Sequence, residues 1–326
     1  MTGSLTRRRF IGISAAALGF GLTVRDAAAN PSSIRRWRGV ALGADAELTL
    51  HHPDPNQAEK IINVCLAEVR RLEKIFSLYH PSSALTQLNT NSRLAAPPHE
   101  LVDLLSRARS FSESTDGAFD VTVQPLWQLY AEHFSNPGAK PAGPSIEALE
   151  QARVRIGIHG LHIDAQEITF ANPGMAVTLN GIAQGYITDR VADVLRGFGM
   201  MDVLVNMGET RALGGHPDDR PWRIGLEKSP SREINLRDAA IATSGGYGFI
   251  FGPDTGQHHI LDPRTGVSPA RWQQVSVIAD DATTADALST ASMMLTGDQV
   301  AGLSRQYNVK IITLDNRREE NIFERS

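Results

Sequence analysis

The stretch that most constrains this chain is Thr178-Leu-Asn-Gly-Ile-Ala-Gln-Gly-Tyr-Ile-Thr-Asp189. An apolar run over 175–179 enters a Gly-Ile-Ala-Gln-Gly turn, and the segment that follows sets Ile187, Val191, Val194 and Leu195 on one face at helical spacing. The pattern reads as strand, glycine turn and helix start. Glycines let the backbone come close to a ligand, and the first helical N–H groups point at it, so the stretch can bind an anion. The same pattern also serves as a plain connection, and the rest of the chain has to decide between the two.

Residues 1–29 read as an export leader and are set aside before any fold argument. Thr6-Arg-Arg-Arg-Phe-Ile11 fits the twin-arginine pattern, with Arg7 and Arg8 as the pair. The apolar run over 11–24 is too short to span a bilayer comfortably, and Arg25-Asp-Ala-Ala-Ala29 offers a small-residue cleavage site. The expectation is a twin-arginine signal peptide over 1–29, a mature domain over 30–326 in the periplasm, and no membrane span in the mature chain. No cysteine follows the run, which speaks against a lipid anchor. Net charge is -4, and the leader removes four arginines and one aspartate, so the mature chain is more acidic still. No basic footprint points to nucleic acid. The one cysteine, Cys65, falls on the core face of an expected helix, which excludes a disulfide framework and a cysteine-based metal site.

The mature chain opens with an expected strand pair over 31–50 and a helix over 57–76 that Pro53-Asp-Pro-Asn56 can cap. Ala58, Ile61, Ile62, Cys65, Val69, Leu72, Ile75 and Phe76 form its core stripe. Ser83 can start a short helix, and a second long helix spans 99–114. Residues 133–146 form a Pro/Gly-rich loop before a helix over 145–154, and short strands follow over 156–170. The helix after the opening stretch stops near Gly197-Phe-Gly199. Further strands are expected over 202–208, 222–226, 238–243, 258–262, 275–278 and 309–314, with a helix over 282–297.

Several residues can carry chemistry. Asp286 and Thr290 lie one helical turn apart and offer hard oxygen ligands suited to Mg²⁺ or Ca²⁺; the plain alternative is a solvated Asp and a Thr bonded to its own helix. His259 adjoins a tight Asp-Pro-Arg-Thr-Gly turn and is the acid/base candidate, or a structural strand histidine. Asp120 sits between Phe119 and Val121, where a carboxylate must find partners, as a structural acceptor or as a ligand group. Tyr79 precedes a proline turn and serves either as core or as a ligand platform. Thr243-Ser-Gly245 offers hydroxyls and flexible backbone to a phosphate. There is no Walker loop, no Gly-x-Gly-x-x-Gly fingerprint and no serine-hydrolase elbow.

Taken in order, these pieces resemble the ApbE family of flavin transferases. The resemblance rests on Phe76-Ser-Leu-Tyr79 with Ser83-Ala-Leu-Thr-Gln-Leu-Asn89, Asp116-Gly-Ala-Phe-Asp120 with Pro125-Leu126, and Gly181-Ile-Ala-Gln-Gly-Tyr186 with Asp189. It continues through Asn206-Met-Gly208, Thr243-Ser-Gly245 with Tyr247, His259-Ile-Leu-Asp-Pro-Arg-Thr-Gly266 and Ala285-Asp-Ala-Leu-Ser-Thr290, across essentially the whole mature chain. The resemblance implies an α+β, two-lobed ApbE-like fold with mixed sheets and a flavin cleft between the lobes. It implies Mg²⁺-dependent transfer of FMN from FAD to a Thr or Ser hydroxyl of an acceptor protein, with release of AMP. The acceptor carries a short flavinylation sequence, and a respiratory flavoprotein is the partner class. By residue matching, Asp286, Thr290 and the Gly181 carbonyl hold the metal. Tyr79, Ala118, Phe119, Asp120, Thr178, Gln184, Ser244 and Ile260 line the FAD site, and His259 assists attack by the acceptor hydroxyl.

The chain also departs from the commonest family pattern. Thr178 replaces an acid, Gln184 replaces a lysine, Leu42-Gly-Ala44 replaces Met-Gly-Thr, and Asn206-Met-Gly-Glu209 replaces Asn-x-Gly-Gly. The Leu-Asn-Gly-Ile-Ala-Gln-Gly version is similar to exported members that accompany nitrous-oxide respiration, the NosX group. Two rival readings stand beside the transferase: an FAD-binding carrier without chemistry, and an FAD pyrophosphatase giving FMN and AMP. The leader makes its own prediction. Replacing Arg7 and Arg8 together by lysine traps precursor in the cytoplasm, read by fractionation and immunoblotting; normal export of that variant rules the route out.

Overall fold

A computed structural model describes residues 34–226, 228–252 and 255–324, so the expected leader lies outside the described residues. The chain runs β1 (Ile34–Ala41), β2 (Ala44–His51), α1 (Pro55–Phe76), α2 (Ala84–Asn91), β3 (Arg93–Ala95), α3 (His99–Ser114), α4 (Gln124–Ser135) and α5 (Ile146–Arg153). It continues β4 (Leu161–Ile163), β5 (Glu167–Phe170), α6 (Ala183–Gly197), β6 (Val203–Asn206), β7 (Thr210–Leu213), β8 (Trp222–Leu226), β9 (Ser229–Leu236) and β10 (Ala240–Gly245). It closes with β11 (Trp272–Ala279), α7 (Ala282–Ser292), α8 (Gly297–Tyr307), β12 (Lys310–Asp315) and β13 (Glu320–Phe323).

The fold is α+β. One large sheet has the order β1-β2-β6-β7-β10-β11-β12-β13, beside a three-stranded sheet β3-β5-β4 and the hairpin β8-β9. Every pairing among the described residues is antiparallel, which refines the mixed sheets expected. The alternation of side chains along the large sheet gives it two buried faces. Val203, Val205, Leu213 and Ala242 join the main core with α1, α3, α6 and α7. Leu204, Ala212, Ile241 and Ile312 point the other way and are covered by Trp222, Ile224 and Leu236 of the hairpin. A third, smaller cluster gathers Leu126, Trp127 and Tyr130 of α4 with Ala152 of α5, Phe251 and Leu261.

Local sequence explains the helices that build the site. Asp54 caps α1 by accepting from the N–H groups of Asn56 and Gln57, with Pro55 at the first helical position, and the apolar stripe read from the sequence is the buried face. Cys65 lies in that stripe, and burial pushes its thiol up to about 12, so it is inert packing. Ser83 caps α2 through the Thr86 N–H, and Ser145 caps α5 through the Ala148 N–H.

The structure adds α4, β7, β9 and β13 to the elements expected, and it differs from the sequence reading at three further places. Residues 175–179 form no strand. They run extended, tied by the Asn89 amide to both backbone groups of Val177 at 2.8 Å and by the Thr178 N–H to the Val121 carbonyl at 2.8 Å. His258 makes only an isolated bridge to Ile250, because the turn after it bends the chain away from a ladder. The expected helix over 282–297 is two helices, broken where Thr296 and Gln299 form a capping box that restarts the chain as α8.

Helices α6 and α7 touch through Gly185. A Cβ there would collide with the Ala282 carbonyl and stand 2.9 Å from the Asp286 Cβ. Gly185→Ala therefore overpacks this crossing and is expected to cost about 1–3 kcal/mol of stability, measured as a lower denaturant midpoint. An unchanged midpoint contradicts the close approach.

Candidate active site

All the residues singled out for the site line one cavity of about 480 Å³ where the main core meets the α4–α5 cluster. They are Tyr79, Ala118, Phe119, Asp120, Thr178, Gly181, Gln184, Ser244, His259, Ile260, Asp286 and Thr290. The volume is that of a small-molecule site. One wall is apolar, with Ala118, Phe119 and Ile260 buried in it and Trp127 beside them. The floor is polar and comes from α7, the end of β10 and the turn before α6.

On the floor, the helical spacing of Asp286 and Thr290 turns both into the cavity. Asp286 is 3% exposed, so it is not the solvated side chain of the plain reading. It accepts the Gly185 N–H at 3.0 Å. Thr290 Oγ1 lies 3.3 Å from Ser244 Oγ, which also bonds Ser289 Oγ at 2.8 Å. Gly181 is needed where it stands, because a Cβ there would sit 2.9 Å from Thr290 Oγ1. Burial pushes the Asp286 carboxyl up to about 7; the Gly185 N–H opposes the shift and the charge of Asp189 adds to it.

Two acidic residues at this floor carry roles that local sequence did not reveal. Glu209, just before β7, is buried in the cavity lining, and burial together with the charge of Asp286 holds its carboxyl well above the usual range. Asp189 on α6 accepts from the Ala282 and Thr283 N–H groups at 2.9 Å each and from Thr283 Oγ1 at 2.6 Å, and pairs with Arg211 of β7. It caps α7 from another helix, a partnership about ninety residues apart in sequence. Only the apolar setting of each acid could have signalled it.

The donor set suits a hard divalent cation. It consists of carboxylate and hydroxyl oxygens with the Gly181 backbone beside them, and no thiolate or imidazole takes part. Among the described residues no cluster of three or more His, Cys, Asp or Glu side chains is placed to hold a metal, so the Thr290 hydroxyl and backbone oxygens are needed to complete a site.

His259 faces the cavity from the other side. Its Nδ1 lies 3.2 Å from the Phe249 carbonyl, which can only accept, so the ring carries its proton there and Nε2 keeps a lone pair. The residue is half-buried and lines the cavity. Burial lowers its pKa to about 4, with the neighbouring His258 adding and the Phe249 bond opposing. His258 points away and is held by Pro269 and Ser268.

The remaining residues are placed as follows. Tyr79 is 36% exposed at the mouth, so it is not core packing. Asp120 turns its carboxylate to the Thr122 N–H and hydroxyl and to the Ile158 N–H at 2.6–3.0 Å, which makes it a structural acceptor that shapes the wall. Thr178 Oγ1 accepts the Asn180 N–H at 3.3 Å. Gln184 is buried against Gly208.

A family model described as the ApbE family matches residues 42–313. A relative from Vibrio cholerae, named FAD:protein FMN transferase, is 33% identical over 261 residues, covering 75% of this chain and 77% of that one. Among solved structures, the Flavin Transferase ApbE from Vibrio cholerae superposes with a TM-score of 0.75 at 25% identity, covering 90% of this chain and 98% of that chain. The apbe protein from Thermotoga maritima does so with 0.79 at 29% identity, covering 90% and 100%.

The histidine yields a test in pH. Its ordinary pKa is 6.5 and its folded value is about 4. Between these values the unfolded chain binds the proton and the folded chain does not, so stability is full above the ordinary value and falls as pH drops towards the folded one. His259→Gln removes that contribution. Its melting temperature is expected to fall less steeply than that of the wild type between pH 6.5 and about 4; parallel curves contradict the buried neutral ring.

Proposed function

The chain belongs to the ApbE family, and from that premise we propose that it is an FAD:protein FMN transferase. It moves FMN from FAD to a Thr or Ser hydroxyl of an acceptor protein, depends on Mg²⁺ and releases AMP. The leader sends it through the twin-arginine route to the periplasm, where a respiratory flavoprotein is the acceptor class. The observation that supports this most is convergence: a neutral imidazole, an apolar wall and an oxygen-rich anionic floor open on one cavity.

The steps follow from that layout. The apolar wall of Ala118, Phe119 and Ile260, with Tyr79 at the mouth, buries the flavin ring, and the hydroxyl of Thr178 and the amide of Gln184 offer it hydrogen bonds. Asp286, Thr290 and the Gly181 carbonyl would hold Mg²⁺, which when bound neutralises charge on the pyrophosphate oxygens and eases departure of AMP. The acceptor hydroxyl oxygen attacks the flavin-side phosphorus, the new P–O bond forms, and the bridging oxygen leaves with AMP. His259 Nε2 takes the hydroxyl proton, while the Phe249 carbonyl keeps the tautomer that leaves Nε2 free. In the cavity alone that nitrogen is a poor base, because burial disfavours the imidazolium. The negative charge of a bound pyrophosphate raises its pKa towards neutrality and makes proton transfer possible.

One incubation tests the reading: purified chain, FAD, Mg²⁺ and an acceptor domain, followed by intact mass spectrometry. An FMN adduct on a Thr or Ser is expected. Free FMN and AMP without an adduct point to the pyrophosphatase, and intact bound FAD points to the carrier. His259→Ala is expected to slow transfer by about 10²–10⁴-fold with little change in FAD affinity; weakened FAD binding with unaltered turnover of the bound state contradicts the proton-transfer role.

A further inference from the structure

Two buried carboxylates meet at the cavity floor with no cation set against either. Asp286 is 3% exposed and Glu209 is 4% exposed. Asp286 is met by the Gly185 N–H and Glu209 by the Thr243 N–H, and neither takes part in an ion pair among the described residues. Arg211, the adjacent arginine on β7, is committed to Asp189. Buried anions persist when they are paired or when they coordinate a metal. A separate feature points the same way. Gln184, 5% exposed, lines the same cavity against Gly208, and its side-chain amide takes no hydrogen bond among the described residues. An idle amide beside two unpaired carboxylates suits an occupant that the protein itself does not supply.

Resting on the cation site proposed above, we infer that Glu209 is a further carboxylate ligand of that site, which holds a divalent cation before FAD arrives. Glu209 reaches the floor because it ends the turn between β6 and β7, where Gly208 at φ +106° leaves room for Gln184. Strand β7 pairs with β10 at Ile241 and Thr210, and β10 carries Thr243 and Ser244 to the same floor. A Mg²⁺ site with one carboxylate leans on substrate phosphate to complete its shell. With two carboxylates, the hydroxyl of Thr290 and the Gly181 carbonyl, the protein alone supplies enough oxygen to retain the ion. The expected order of binding is therefore metal first, with the pyrophosphate then taking positions held by water.

The test is isothermal titration of Mg²⁺ alone into the purified, flavin-free chain after chelator treatment, for wild type, Glu209→Gln, Glu209→Asp and Asp286→Asn. Outer-sphere partners of metal sites are worth about 10–100-fold in affinity, so loss of a direct ligand in Glu209→Gln is expected to weaken Mg²⁺ binding by at least about tenfold. Glu209→Asp, which keeps the charge, loses less. Thermal unfolding provides a second readout that shows the variants are folded. Glu209→Gln without metal is expected to melt at or above the wild-type temperature, because a neutral amide of the same shape replaces a carboxyl whose ionisation burial opposes, and to gain less on adding Mg²⁺. Wild-type affinity in Glu209→Gln, or no Mg²⁺ binding by the wild type without FAD, overturns the proposal. Unweakened binding by Asp286→Asn overturns the cation site itself, which is a distinguishable result.

Discussion

The site depends on one buried carboxylate that touches no ligand. Asp189 leaves α6 and accepts the first two N–H groups of α7, while Arg211 of β7 holds it from the sheet side. Those N–H groups have no partner within their own helix, and the positive end of the helix dipole favours an anion there. Removing either partner of such a buried pair leaves a charge without compensation, commonly a loss of about 3–5 kcal/mol. The arrangement thus fixes the start of α7, and with it the rotation that points Asp286 and Thr290 at the cavity. Gly185 allows the two helices to come close enough for the cap to form, and its own N–H then reaches Asp286. One turn of α6 therefore supplies the contact surface, the cap and a bond to the acidic floor.

The electrostatics of the cavity follow from this packing. Desolvation acts in opposite directions on the two sides: it raises Asp286 and Glu209 on the floor and lowers His259 across from them. Every one of these groups is pushed towards its neutral form. An acidic floor and an imidazole thus face one cavity with their charged forms disfavoured by the same burial.

Much of this was legible in the sequence because it is written in local patterns. The core stripe of α1, the caps at Asp54, Ser83 and Ser145, and the i, i+4 pair on α7 all depend on residues within a turn or two of each other. The Asp189–Arg211 pair and the place of Glu209 depend on partners brought together by the sheet, and no local spacing announces them. The helix α4 was not among the expected elements; Pro125 stands at its start, where proline is favoured. The break before α8 was written in the sequence as Thr296 followed three residues later by Gln299, yet the apolar continuity of the segment hid it. The run over 175–179 has the composition of a strand, but its hydrogen bonds go to the side chain of Asn89 and to Val121, so no ladder forms.

The departures from the commoner family pattern become intelligible as one change in charge. An acid at 178 and a lysine at 184 balance each other, so replacing both by Thr178 and Gln184 leaves the sum unaltered. Glu209 then adds a negative charge where a glycine is usual, and it does so beside Gln184, whose amide cannot neutralise it. A lysine at 184 would sit against this part of the floor and compete with a cation for the same carboxylates. With glutamine there, no cationic side chain pairs with Asp286 or Glu209 among the described residues. Three departures well separated in sequence, Thr178, Gln184 and Glu209, thus line one cavity and alter the charge of the same floor.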